Sequence, residues 1–207
     1  MQLLSRFEQR YPNPRPKLVY HSDYELLVAV MLSAQCTDER VNLVTEKLFL
    51  NYNTPEKMVT LSQEELEKMI FSCGLYRMKA QHILSASRDI LTRFNGQVPA
   101  TVEQLRSLDG VGVKTANVVY SVSFGGDAIA VDTHVFRVSN RIGLSSSTTP
   151  AACEKDLQKA LPQEKWSKAH HYLIFLGREI CKAQKPDCAN CFIADLCQKK
   201  IVKKTRK

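Results

Sequence analysis

The chain has 207 residues, 44% of them hydrophobic and 24% charged, which is typical of a globular protein with one large domain or two small ones. Its formal net charge of +8 at pH 7 favours an anionic partner such as nucleic acid, although six of the last ten residues are Lys or Arg and concentrate the excess in a basic tail. No run of about 20 apolar residues and no apolar leader is visible, so we expect a cytoplasmic protein with no membrane partner.

Helix-capping signals begin in the first quarter of the chain. The capping box Ser22-x-x-Glu25 opens the apolar segment LLVAVMLSAQ, which predicts a buried helix. Apolar residues at helical spacing predict another helix from Lys79 to Phe94, with Gly96 suited to its C-terminal cap. Further starts are predicted at Thr37 or Asp38 (running to about Leu50), Thr54-Pro55, Ser62-x-x-Glu65 and Thr101-x-x-Gln104.

The second half of the chain continues the helical pattern. The segment AIAVDTHVFRV alternates like a strand over a few residues, but Asp132 is a good N-cap residue, and we prefer a helix from Thr133 to Arg141. Other helices are predicted from about Lys114 to Ser123, from Thr149-Pro150 onward, and from Lys165 to Ile180. The sequence therefore predicts an all-α protein.

Four of the seven cysteines lie in one short segment with the spacing C-x6-C-x2-C-x5-C: Cys181, Cys188, Cys191 and Cys197. Clustered thiolates predict a site for a soft metal in a reducing compartment. The spacing leaves zinc and an iron–sulfur cluster open, because only one Cys-x2-Cys pair is present and the pattern is not that of ferredoxins. The other three cysteines are interpreted as buried small hydrophobic residues: Cys36, Cys73 and Cys153.

The segment LRSLDGVGVKTANVV, residues 105–119, predicts two short helices joined by a glycine turn. Gly110 and Gly112 allow unusual backbone angles and keep side chains away, so that the amides of the turn and of the next helix point outward together. Such amides bind a DNA phosphate without reading the base sequence. Lys185, within the cysteine segment, is a second candidate for phosphate contact.

Lys114 stands at the start of the helix that follows the glycine turn. The positive end of the helix dipole and partial burial both disfavour an ammonium group there, and a lysine nucleophile attacks only in its neutral form. Asp132, eighteen residues further on, would hold a carboxylate near the reacting centre. Without further motifs, a surface lysine at a helix start remains the simpler interpretation of Lys114.

Together these motifs resemble the helix–hairpin–helix DNA glycosylase superfamily, and within it the endonuclease III family. The resemblance is carried by LDGVGVKTANVV, by the aspartate of VDTHVFRVSNR and by the cysteine segment, with LLVAVMLSAQCTD and GLYRMKA at the expected places, and it runs from about residue 16 to Cys197. It implies a helix–hairpin–helix DNA glycosylase fold with DNA bound at a cleft between two domains. These are a six-helix barrel domain over 16–126, including the helix–hairpin–helix at about 105–123, and an iron–sulfur cluster domain made of 1–15 and 127–207, with the cluster loop at 181–197 and the basic tail at 198–207.

The resemblance also implies the chemistry of the site. Lys114 would be the nucleophile that forms a Schiff base with the sugar of a damaged nucleotide, and Asp132 the catalytic carboxylate. The DNA-contacting residues would be Gln35 and Leu75, which enter the gap left in the duplex, with Gly110, Val111, Gly112, Thr115 and Lys185. The four clustered cysteines, Cys181, Cys188, Cys191 and Cys197, would ligate a [4Fe-4S] cluster.

The substrates implied by the resemblance are double-stranded DNA with oxidised or ring-saturated pyrimidines, and DNA with abasic sites, cleaved on the 3′ side by β-elimination. The enzyme would be a monomer of bacterial type, associated with the nucleoid. Asp109 and Val113 depart from the family pattern, in which proline and a basic residue are common, and both changes predict a slightly weaker hold on DNA.

Two alternatives compete with this interpretation. An adenine-mismatch or other monofunctional glycosylase is disfavoured because Ala29 stands where those relatives carry a glutamate and because Lys114 is present. A non-catalytic DNA-binding module stapled by zinc explains the hairpin, the cysteines and the charge, but it does not explain Lys114 and Asp132 together.

Overall fold

The computed structural model describes residues 2–14 and 16–199, and every regular element in that part of the chain is a helix. In chain order these are α1 (Gln2–Arg10), α2 (Asp23–Leu32), α3 (Asp38–Leu48), α4 (Pro55–Met58), α5 (Gln63–Ile70), α6 (Tyr76–Arg93), α7 (Val102–Arg106), α8 (Val113–Ser123), α9 (Thr133–Ile142), α10 (Pro150–Ala160), a 3-10 turn (Gln163–Lys165) and α11 (Trp166–Glu179). The all-α prediction is confirmed. None of the described helices combines the length and the apolar character needed to cross a membrane. The predicted basic tail beyond Lys199 lies outside the described residues.

Helix starts coincide with the capping residues that the sequence provides. Ser62 and Glu65 form a complete capping box: the Ser62 hydroxyl accepts from the Glu65 N–H at 3.2 Å, and the Glu65 carboxylate accepts from the Ser62 N–H at 2.8 Å. Ser22 caps α2 in the same way, but Glu25 accepts from the His21 N–H, at 2.6 Å, rather than from Ser22. Threonine hydroxyls cap four further helices, at Thr37, Thr54, Thr101 and Thr149.

Two helices differ from the sequence prediction. α6 begins at Tyr76, three residues before the predicted start at Lys79. α1 was not predicted, because polar residues dominate its sequence. In the structure, Phe7 is its one buried residue. A helix with so little apolar surface depends on partners that lie far away in the sequence.

The chain divides into two compact units. Residues Lys17–Gly126, with α2 to α8, form the first, which we call the hairpin unit. The residues that precede Lys17 and follow Gly126, with α1 and α9 to α11, form the second, which we call the cysteine unit. The cysteine unit is therefore discontinuous in sequence.

Helix α2 forms the centre of the hairpin unit. Nine of its ten residues are buried, as its uniformly apolar sequence predicts, and it packs against α3, α6 and α8. The Tyr24 hydroxyl and the Ser87 hydroxyl form a hydrogen bond of 2.6 Å that ties α2 to α6 inside this core. Helices α6 and α8 are thus both packed against α2.

An aromatic cluster joins the two ends of the sequence in the cysteine unit. The Phe7 ring lies parallel to the Tyr172 ring at 5.4 Å between centroids and edge-on to the Phe192 ring at 5.4 Å. Arg6 forms an ion pair with Asp195. These contacts hold α1 against α11 and the cysteine segment.

His171 is buried in the same unit, with 5% of its surface exposed. Its ring lies against the rings of His170 and Phe175, with centroid distances of 4.9 and 6.3 Å. Burial lowers the pKa of His171 from its ordinary 6.5 to about 3, and electrostatic interactions with His170 and Arg178 act in the same direction. The ring is therefore neutral in the folded protein at neutral pH.

This burial predicts a specific loss of stability in acid. Because the unfolded chain binds a proton at His171 below about pH 6.5 and the folded chain does not, the free energy of unfolding should fall by about 2 kcal/mol between pH 7 and pH 5 on account of this residue. Urea unfolding of His171→Phe should show a correspondingly smaller loss, whereas His21→Phe, at an exposed position, should keep the full loss. Equal losses in the parent protein and in His171→Phe would contradict the prediction.

Candidate functional site

The turn between α7 and α8 requires glycine at one of its two glycine positions. Gly110 has φ +74°, and a Cβ atom there would lie 2.6 to 2.7 Å from atoms of the His82 side chain. Gly112 is extended, with φ −80°, so the expectation of an unusual backbone angle is wrong at this position. The backbone itself demands only Gly110.

Gly112 serves instead to keep the start of α8 open. It is the N-cap residue and, as a glycine, has no side chain with which to cap the helix, and a Cβ atom on Gly112 would meet nothing within 4 Å. Val111 is 6% exposed and Thr115 is half-buried, so Val111 contributes through its backbone. Amides of a helix start without a side-chain cap attract an anion, and a phosphate suits this position.

Lys114 is the second residue of α8, at the positive end of the helix dipole. Its side chain is exposed, so the partial burial expected from the sequence is wrong for the chain without DNA. In the chain without DNA the amine is therefore accessible to solvent and to a substrate.

The two departures from the family pattern lie beside this turn. The Asp109 carboxylate, whose negative charge was expected to weaken phosphate binding, lies 3.7 Å from His82 Nε2. Val113 is 43% exposed and adds no charge to the first turn of α8. The contact of His82 with this turn could not be predicted from the sequence, because His82 lies on α6, well before the hairpin motif in the chain.

Gln35 and Leu75 lie on two neighbouring turns of the hairpin unit. Both adopt the left-handed backbone conformation, with φ 54° and 59°, and both side chains are exposed. A Cβ atom on Gly74 would lie 3.8 Å from the Gln35 carbonyl oxygen, so the two turns are in contact. Left-handed non-glycine residues are strained, which is a frequent property of functional positions.

Asp132 is the N-cap residue of α9 in the cysteine unit, as predicted. Its Oδ1 atom accepts hydrogen bonds from the His134 and Val135 N–H groups, both at 2.8 Å. The segment that leads to it is fixed by His170, whose Nδ1 atom lies 2.7 Å from the Ala130 carbonyl oxygen inside the core. The carboxylate is thus anchored on a buried framework.

Two arginines on α9 tie this helix to the cysteine segment. Arg137 Nε donates to the Cys181 carbonyl at 3.1 Å. Arg141 donates to the carbonyls of Lys182 at 2.6 Å and Ala183 at 2.9 Å, and its Nη1 atom lies 3.5 Å from Cys181 Sγ. Sequence reasoning missed both residues, although their spacing of four places them on one face of a helix.

The four clustered cysteines line a single cavity, together with apolar residues such as Ile142 and Leu176. Burial raises the pKa of the Cys191 thiol, and the nearby thiols of Cys197, Cys181 and Cys188 raise it further. Four thiolates so close together repel one another unless a positive group joins them.

Four cysteine sulfurs are a set of ligands that both a zinc ion and an iron–sulfur cluster accept. A zinc site holds each sulfur about 2.3 Å from one ion. Among residues 2–14 and 16–199, no three His, Cys, Asp or Glu side chains converge closely enough to hold one metal ion. An iron–sulfur cluster likewise takes four cysteine ligands, and the cavity is lined by four cysteines.

The predicted residues are divided between the two units. The hairpin unit contains Lys114, Thr115, the glycine turn, Gln35 and Leu75, whereas the cysteine unit contains Asp132, Lys185 and the four cysteines. Lys185 is exposed and left-handed, with φ 48°, on the stretch between Cys181 and Cys188.

Comparisons with known proteins agree with these observations. A family model for HhH-GPD superfamily base excision DNA repair proteins matches residues 28–163, and a model for the iron–sulfur binding domain of endonuclease III matches residues 181–197. The chain is 48% identical to endonuclease III of Rickettsia conorii, over 92% of this chain and 91% of the relative. It is also 48% identical to endonuclease III of Bacillus subtilis, over 94% of this chain and 90% of the relative.

The fold agrees with a solved structure in the same way. A trapped covalent intermediate of endonuclease III with DNA superimposes with a TM-score of 0.90 and 47% sequence identity, over 95% of this chain and 92% of that chain. The predicted helix–hairpin–helix DNA glycosylase fold is thereby confirmed. The chain belongs to the endonuclease III family of the HhH-GPD superfamily of base excision DNA repair proteins.

Proposed function

We propose that this chain is a bifunctional base excision repair enzyme, a DNA glycosylase with abasic-site lyase activity that acts on oxidised or ring-saturated pyrimidines in duplex DNA. The observation that carries the proposal is the position of Lys114 in the first turn of α8, whose start is open to a phosphate. A relative at 47% identity has been trapped as a covalent intermediate with DNA, which supports a covalent mechanism.

The hairpin is proposed to hold the DNA backbone. A phosphate that accepts from the amides of Gly110, Val111 and Gly112 and of the first turn of α8 gains charge-assisted hydrogen bonds without any base contact. Thr115 and, in the cysteine unit, Lys185 are proposed as further DNA contacts. Gln35 and Leu75 fill the space that the damaged nucleotide leaves when it is extruded from the stack.

Lys114 is proposed to carry out the covalent step. Its neutral amine attacks C1′ of the damaged nucleotide, the base leaves, and the resulting Schiff base permits β-elimination, which cleaves the strand 3′ to the sugar. Asp132 stabilises the positive charge that develops on the sugar as the base departs. Two amide hydrogen bonds hold this carboxylate at the start of α9, so little reorganisation is needed during the reaction.

The cofactor is a [4Fe-4S] cluster, which provides a structural crosslink and a group capable of electron transfer. We propose Cys181, Cys188, Cys191 and Cys197 as its ligands. Arg141, with one nitrogen 3.5 Å from Cys181 Sγ, partly balances the negative charge of the thiolates.

We also propose a domain organisation and a cellular location for this chain. Residues 16–126 would form a DNA-binding six-helix barrel domain. Residues 1–15 and 127–207 would together form the iron–sulfur cluster domain. An enzyme that acts on chromosomal DNA in bacteria works in the cytoplasm, at the nucleoid. The alternative of an adenine-mismatch glycosylase is disfavoured because Ala29 is fully buried in α2 and carries no carboxylate. The alternative of a zinc-binding module is disfavoured because the iron–sulfur domain model matches residues 181–197.

Replacement of the nucleophile tests the central proposal. Lys114→Gln should abolish the borohydride-trapped covalent adduct with abasic-site DNA and reduce strand cleavage by at least about 100-fold, because glutamine forms no Schiff base. Lys47→Gln, at another exposed position of the hairpin unit, is the matched control and should form the adduct normally. An adduct that persists in Lys114→Gln would exclude Lys114 as the nucleophile.

The negative charge of Asp132 can be removed while the residue still caps α9. Asparagine caps a helix about as well as aspartate, so Asp132→Asn should leave the unfolding transition nearly unchanged while base excision slows by about 100-fold or more. Single-turnover excision of an oxidised pyrimidine and thermal unfolding measure the two effects. Equal excision rates would rule out an electrostatic role, and a large loss of stability would make the role structural.

The two glycines of the turn are expected to respond differently to alanine. Gly110→Ala should lower the free energy of unfolding by about 2 kcal/mol, because of its left-handed backbone and the His82 contact. Gly112→Ala should change it by less than about 0.5 kcal/mol, since its Cβ meets open space, yet should weaken binding to undamaged duplex, because the methyl group occupies the approach of the phosphate. Urea unfolding and binding at several salt concentrations distinguish the two effects.

A further inference from the structure

Two free cysteines, Cys36 and Cys73, lie on the two turns that carry Gln35 and Leu75. Cys36 directly follows Gln35, and Cys73 lies two residues before Leu75. The backbones of the turns are in contact at Gly74, and the two thiols lie within interaction distance of each other. Both cysteines are free; Cys73 is buried and Cys36 is partly exposed, so the sequence-based interpretation of Cys36 as buried is wrong.

A buried lysine lies beside this pair. Lys79 is 6% exposed, and its ammonium donates to the carbonyl of Leu32, the last residue of α2, at 2.8 Å. It interacts electrostatically with both thiols. Burial and Cys36 raise the pKa of Cys73 to about 11, whereas Lys79 and Arg40 oppose that increase. The pair therefore has a partly exposed thiol at Cys36, a buried thiol at Cys73 and an adjacent cation, Lys79.

We propose that Cys36 and Cys73 are a modification site at which a peroxide forms a reversible disulfide that weakens DNA binding. The effect on DNA binding rests on the function proposed above for Gln35 and Leu75, whereas formation of the bond does not. The residues occupy the hairpin unit and are separate in sequence from the four clustered cysteines.

The chemistry balances with peroxide as the oxidant. The Cys36 thiolate attacks one peroxide oxygen, the O–O bond breaks, and the products are a sulfenic acid and one water after protonation. Cys73 sulfur then attacks Cys36 sulfur, the S–S bond forms, and the hydroxyl group leaves as a second water with the Cys73 proton. Two thiols lose two electrons in total, and the peroxide accepts them. A dithiol reductant reverses the reaction by exchange.

The bond is expected to move the turns. A disulfide brings two sulfur atoms from non-bonded contact to about 2.05 Å, which draws Cys36 and Cys73 together. Gln35 is next to Cys36, and Leu75 is two residues from Cys73; both are already in left-handed conformations, so their side chains should shift with the bond. A side chain that inserts into a duplex stabilises the complex only when it is correctly placed, so a shift of Gln35 and Leu75 should weaken binding.

The test uses the enzyme with its cluster intact and hydrogen peroxide as the probe. Non-reducing digestion and mass spectrometry should detect a peptide pair joined through Cys36 and Cys73. Affinity for a duplex with a stable abasic-site analogue should fall by about tenfold and return after dithiothreitol, while visible absorption shows that the cluster is retained. Cys36→Ser should keep its affinity under the same treatment, and Cys153→Ser, a buried thiol in the cysteine unit, should behave like the parent.

Three results would overturn the proposal: no joined peptide pair, a joined pair with unchanged affinity, or an equal loss of affinity in Cys36→Ser. The last result would attribute the loss to the cluster. Failure of the proposed function is measured separately, as the absence of abasic-site cleavage by the fully reduced enzyme.

Discussion

The two hydrogen bonds of 2.8 Å from the first turn of α9 to Asp132 Oδ1 are the constraint on which the cysteine unit depends. They fix a carboxylate at the start of a helix whose later turns carry Arg137 and Arg141, and these arginines hold the cysteine segment through its carbonyl groups. One helix therefore positions both the Asp132 carboxylate and the cysteine segment.

The hairpin unit uses the opposite arrangement at α8. There the N-cap residue, Gly112, has no side chain with which to cap the helix, and a Cβ atom on it would meet open space. A carboxylate of the protein itself satisfies the start of α9, whereas the glycine leaves room for an external anion at the start of α8.

Much of this organisation could be predicted from local sequence. Capping residues gave most helix starts, and the apolar run after Ser22 gave the buried α2, because both depend on neighbouring residues. The exposure of Lys114 and the pairing of Asp109 with His82 could not be predicted, since each depends on how distant helices pack. The thiol pair of Cys36 and Cys73 was missed for the same reason: nearly forty residues separate the two turns in the sequence.

The discontinuity of the cysteine unit has a consequence for synthesis on the ribosome. Residues 17–126 emerge as a continuous block that contains all of the hairpin unit, so this unit can fold while the rest of the chain is still being made. The contacts of the Phe7 ring with Tyr172 and Phe192 can form only after these two residues, near the C-terminal end of the chain, have been synthesised. The first helix of the chain is therefore among the last to reach its place, and until then its apolar face is exposed to chaperones and proteases.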